Sequence, residues 1–159
     1  MASGRFDVVL HPFGKGSLTT DGVQYSAEVT GITNAAYTAI ETVNIENGFP
    51  HKVEEMEFGL TMAINSNSTT QAVLWKFQGS DDNSAWADLI AEQIRAASAV
   101  AYADVTVLGR WTPVTNFNMN KDNMYLRGVV KSNTYLDTNI EVAAGKMKNS
   151  SYIAIVYKG

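Results

Sequence analysis

The chain has 159 residues, 45% of them hydrophobic and 18% charged, with a formal net charge of −4 and no cysteine. That length suits one domain able to bury roughly 70% of the surface its unfolded chain would expose. Without cysteine there are no disulfides, thiolate metal sites or cysteine nucleophiles, and the sequence shows no basic face of the kind that marks a nucleic-acid binder. The opening stretch MASGRFDVVLHPFGKG holds no apolar leader core, and no run reaches ~18 apolar residues. Synthesis in the cytoplasm without a membrane span is therefore the expectation.

Phe6 to Leu10 is a short apolar run closed by Pro12, Gly14 and Gly16. It suits a first edge strand, or an N-terminal arm formed by residues 1–16. Val23 to Val29 and Tyr37 to Ile45 alternate, bounded by Asp21-Gly22, Gly31 and Asn47-Gly48. The clearest strand follows, with Met56, Phe58, Leu60, Met62 and Ile64 on one face at period two. A polar stretch over 65–70 then leads to Gln71–Gln78, and the two runs are expected to pair as a hairpin. Within the second run Val73, Trp75 and Phe77 alternate into a core, Gly79 to Ser84 makes a reversal, and Trp86 and Leu89 restore apolar character.

Beyond the reversal, Trp86, Leu89, Ile90, Gln93, Ile94 and Ala97 share one helical stripe, which predicts a short helix over 87–96. The Ala-rich piece after it reads as an extended loop or a close-packed contact surface, and strands are predicted over 104–112, 124–131, 140–144 and 152–157. The expected fold is all-β: one antiparallel β-sandwich or jelly roll of about eight strands over residues 1–159, with at most one short helix.

The sequence announces no catalytic constellation, and a non-enzyme is expected. His11 and His51 both lie beside turn residues. Glu54, Glu55 and Glu57 crowd one strand, whereas a glycosidase needs two carboxyls facing each other across a cleft. Asp81, Asp82 and Asn83 offer successive oxygen ligands for Ca²⁺, but they lack the distant bidentate Glu of an EF-hand, and Asp and Asn favour turns in any setting. A structural turn is the expectation there, and no cofactor is implied. Trp86 follows a turn and Trp111 precedes a proline, so these two are the candidates for stacking on a sugar.

The segment LWKFQGSDDNSAWADL resembles two known patterns through Gln78, Ser80, Asp82, Trp86 and Leu89. One is the strand-turn-Trp motif of discoidin or galactose-binding-like β-sandwiches. The other occurs in small β-sandwich virion proteins of tailed phages, of the capsid decoration or cement type. The resemblance spans 16 of 159 residues, and those residues are structural, so it implies a sandwich more than an activity. Its first implication is a structural virion protein that binds a major capsid protein as a homo-oligomer, for example a trimer. The contact candidates are Phe6, Val8, Leu10 and Phe13 of the arm, with Ala97, Ala99, Ala101 and Tyr102 of the Ala-rich piece. The alternative is a carbohydrate-binding module that uses Trp86 or Trp111.

Overall fold

A computed structural model describes residues 5–16, 22–33, 36–46, 48–49, 52–66, 72–96, 103–111, 123–132 and 142–158. These residues form eleven strands and no helix. In chain order the strands are β1 (Arg5–Leu10), β2 (Val29–Ile32), β3 (Thr38–Glu46), β4 (Val53–Ser66), β5 (Ala72–Ser80), β6 (Ala87–Asp88), β7 (Gln93–Ala96), β8 (Ala103–Trp111), β9 (Asn123–Ser132), β10 (Val142–Met147) and β11 (Tyr152–Lys158).

Two antiparallel sheets make the expected sandwich. The first runs β1-β11-β4-β10-β2 with β8 also on β4, and the second runs β3-β9-β5-β6 with β7 also on β5. The 14-residue β4 organises the first sheet. One of its edges carries β8, from Met56 opposite Trp111 to Ile64 opposite Ala103. Its other edge carries β11 and β10 end to end, with Tyr152 opposite Gly59 and Met147 opposite Met62. Between these two partners the buried Ser151 hydroxyl accepts the Thr61 N–H at 2.9 Å and donates to the Thr61 carbonyl at 3.2 Å, so the backbone of β4 stays satisfied across the break.

The period-two face of β4 is buried as its sequence predicts, with Met56, Phe58, Leu60, Met62 and Ile64 all at most 1% exposed. Val73, Trp75 and Phe77 point inward from β5, and the Phe58 and Phe77 rings meet across the sandwich with centroids 4.1 Å apart. Each large side chain buried in this way contributes about 1.5–3 kcal/mol of transfer free energy. Phe13 closes one end of the core, edge-on to Phe77 at 6.4 Å.

Three expectations need correction. β4 and β5 do not form a hairpin, because they lie in different sheets of the sandwich. The helix predicted over 87–96 is replaced by β6 and β7, which pair with Gln78–Gly79 and with Ala72–Trp75 of β5. A bare edge of unpaired N–H and C=O groups on β5 outweighs the local helix preference. These two short strands also help raise the count from about eight to eleven. Finally, the strand predicted over 23–29 begins only at Val29, and Tyr25 makes no more than an isolated bridge to Lys148. The first apolar run is an edge strand rather than a free arm, since Arg5–Leu10 pairs along β11 with Phe6 opposite Tyr157.

Candidate functional site

Sandwich strands bury alternate residues, so each sheet turns its remaining side chains outward. On the second sheet these outward positions are unusually well connected. β9 contributes Tyr125, Arg127 and Lys131, and β5 contributes Leu74, Lys76 and Gln78. Their registers place Arg127 opposite Gln78 on one side and opposite Thr42 of β3 on the other. β6 adds Asp88 opposite Gln78, with Trp86 just before it.

A chain of contacts runs across this face. The Arg127 guanidinium lies over the Trp86 ring at 3.9 Å, and its Nε donates to Gln78 Oε1 at 2.9 Å. Gln78 Nε2 donates to Asp88 Oδ1 at 2.8 Å, and Lys76 Nζ donates to Asp88 Oδ2 at 3.0 Å. Lys76 and Lys131 each sit 4.9 Å from the centre of the Tyr37 ring, whose hydroxyl donates to Glu92. Partial burial works to raise the Asp88 carboxyl, but the hydrogen bonds from Gln78 and Lys76 and the Lys76 charge hold it below its ordinary value. Partial desolvation lowers the Arg127 guanidinium, although a group of such high intrinsic pKa stays charged. Trp86 is half-buried, which leaves part of an aromatic surface beside several fixed donors and acceptors.

The residues singled out from the sequence scatter. Trp86 joins the network, but Trp111 is only 3% exposed, inside the core opposite Met56, where no sugar can stack on it. Phe13 is fully buried, and Val8 and Leu10 pack half-buried against the same core, so these three are core-facing rather than a contact surface. The side chain of Phe6, and Ala97, Ala99, Ala101 and Tyr102, lie outside the described residues.

At Asp81, Asp82 and Asn83 the geometry is that of a turn. Asp82 Oδ1 accepts the N–H groups of Ser84 and Ala85, both at 2.8 Å, and the Ser80 hydroxyl at 3.0 Å. These bonds hold its carboxyl below the usual range. Asn83 takes a left-handed φ of 58°, a conformation that Asn tolerates. Among the described residues no three acidic or histidine side chains gather as a metal site would require.

Arg127, Gln78, Asp88, Lys76 and Tyr37 escaped the sequence reading as site residues. Their signal was present as polar positions alternating with apolar ones in β5 and β9. The pairing that unites them, with Arg127 and Gln78 49 positions apart, was not.

No protein-family model and no curated protein matches the chain. Similar solved structures include a xylan-binding module, CBM15, at 11% identity and a TM-score of 0.48, with 99% of each chain covered. The CBM22-1 xylan-binding domain from Paenibacillus barcinonensis Xyn10C is similar at 15% identity and a TM-score of 0.45, covering 100% of this chain and 99% of that one. A structure of infectious bursal disease virus is similar at 7% identity and a TM-score of 0.44, covering 98% of this chain and 33% of that one. At these identities and scores the likeness carries no argument about ligand or partner.

Proposed function

We propose that this chain is a non-catalytic carbohydrate-binding β-sandwich whose ligand lies along the outer face of the second sheet. The supporting observation is the network that joins Trp86, Arg127, Gln78, Asp88 and Lys76. A pyranose ring presents C–H groups on its faces and hydroxyls around its rim. A half-exposed indole meets the first requirement, and amide, carboxylate and ammonium groups held in place meet the second. Because these polar groups already brace one another, little side-chain freedom remains to be lost on binding.

Binding without chemistry is also the better fit to Asp88. A glycosidic general acid needs a raised pKa, and Lys76 and Gln78 bias this carboxyl toward the ionised form. The capsid-decoration reading relied on apolar contact residues, three of which, Phe13, Val8 and Leu10, are turned into or against the core.

The test is affinity electrophoresis and glycan-array binding of the purified protein. Retention by at least one saccharide class is expected, with affinity weakened about tenfold or more by Trp86→Ala. Leu108→Ala, on the outer face of the other sheet, is the control and should bind normally. A protein that retains no saccharide overturns the proposal, as does a Trp86→Ala variant that binds like the wild type.

A further inference from the structure

The charges on this face are unevenly compensated. Its acidic groups are Asp88, Glu92 and, at the far end of β3 opposite Asn123, Glu46. Asp88 is taken by Lys76 and Gln78, and Glu92 accepts the Tyr37 hydroxyl. Arg127 has no carboxylate partner among the described residues. Its Nε is engaged by Gln78 and its plane is held against Trp86, so both Nη groups remain as donors without a partner among those residues. The strands beside it bring no acid either, because its cross-strand neighbours are Thr42 and Gln78.

An exposed arginine normally sheds little free energy when it finds a counter-ion, since water already solvates it and the side chain must be ordered. Arg127 differs on both counts. It is partly desolvated, and two contacts fix the orientation of its fork. A rigid guanidinium presenting two parallel N–H donors matches a planar carboxylate. Lys131 is a second cation with no carboxylate partner among the described residues; four positions along β9, it lies about 13 Å from Arg127.

Resting on the carbohydrate reading, we infer that the preferred ligand is an acidic saccharide of the uronic-acid class, its carboxylate bound by the Nη pair of Arg127. The sugar ring then lies beside Trp86 and Tyr125. An oligomer with a carboxylate on more than one unit also reaches Lys131.

The experiment compares oligomers of galacturonic, glucuronic and mannuronic acid, each as the free acid and as its neutral methyl ester, by titration calorimetry at low salt. For at least one of them the free acid should bind about tenfold tighter than the ester, and that margin should shrink as ionic strength rises. Arg127→Gln should abolish the margin between acid and ester, so that the two forms bind this variant alike whatever the level of the ester itself. Circular dichroism and thermal melting would show that this variant is folded, and the acid-to-ester comparison on the wild type needs no variant. Equal binding of acid and ester overturns the inference and leaves the carbohydrate reading intact. Failure of every saccharide, acid or neutral, overturns both.

Discussion

Gly128→Ala tests how the core of the second sheet is packed. Gly128 lies in β9, opposite Phe77 and Glu41, with its α-carbon under the indole of Trp75. A Cβ built there would stand 2.0 Å from Trp75 Cη2 and 2.3 Å from Cζ3. Ordinary carbon–carbon contact is about 3.5–4.0 Å, so the indole must retreat by about 1.5 Å. It is only 1% exposed, so it can retreat only by displacing other core side chains. Overpacking of this kind costs about 3 kcal/mol, against which alanine recovers about 0.5–1 kcal/mol by restricting the unfolded chain. The expected net loss is about 2 kcal/mol, read in urea unfolding as a lower midpoint at unchanged m. Trp75→Phe should partly rescue it. The smaller ring clears the new methyl and also removes a buried indole N–H that finds no acceptor among the described residues. The coupling in the double-mutant cycle should then exceed about 1 kcal/mol. A Gly128→Ala protein within about 0.5 kcal/mol of the wild type, or strictly additive effects, would mean that the indole does not rest on this glycine.

Two further predictions concern pH. Burial raises the Glu41 carboxyl above its ordinary value despite the hydrogen bond from the Gly14 N–H, so ionising it works against the fold. Its contribution therefore falls as pH rises through the folded pKa. Glu41→Gln keeps an acceptor for Gly14 and should be within about 1 kcal/mol of the wild type at neutral pH, gaining on it between about pH 4 and 7. Chemical denaturation at both pH values checks this, and a constant difference refutes it. Asp82 has the opposite sign, because the N–H groups of Ala85 and Ser84 and the Ser80 hydroxyl lower its carboxyl. Its contribution is present above the unfolded pKa and is lost as pH falls through the folded one. Asp82→Ala should thus destabilise at pH 7 and converge on the wild type in acid, as followed by thermal melting; equal destabilisation at both ends would show that the turn does not depend on the charge.

Much of the fold was legible wherever one strand could be read alone. The five inward residues of β4 and the Val73-Trp75-Phe77 run declare their buried face through alternation, which is a property of a single strand. Partner choice is not. The alternation of β4 and β5 is equally compatible with a hairpin and with opposite layers of a sandwich, and only long-range packing such as Phe58 against Phe77 selects between them. The stretch from Trp86 to Ile94 misleads for a related reason. Its apolar residues fall at helical spacing, but the vacant edge of β5 at Ala72–Trp75 and Gln78–Gly79 recruits it as two short strands. Trp111 was misjudged because a following proline marks the end of a strand without saying which face its last residue turns to.

The position of Trp86 follows from the same geometry that buries Trp75. In β5 the odd positions 75 and 77 face Gly128 and Phe58 inside the sandwich, and the even positions 76 and 78 carry Lys76 and Gln78 into the outer network. β6 continues this division across the reversal, since Asp88 meets Gln78 on the outside while Leu89 is buried and donates its N–H to the Phe77 carbonyl at 2.9 Å. The Asp82-centred turn therefore sets the register that delivers Trp86 to the face where Arg127 waits. Loosening it should weaken binding even though none of its residues would touch a ligand. Substitutions at Lys76 and Gln78 leave the core intact, so their stability cost should stay near the ~0.5 kcal/mol typical of surface changes, and their effect should fall on affinity.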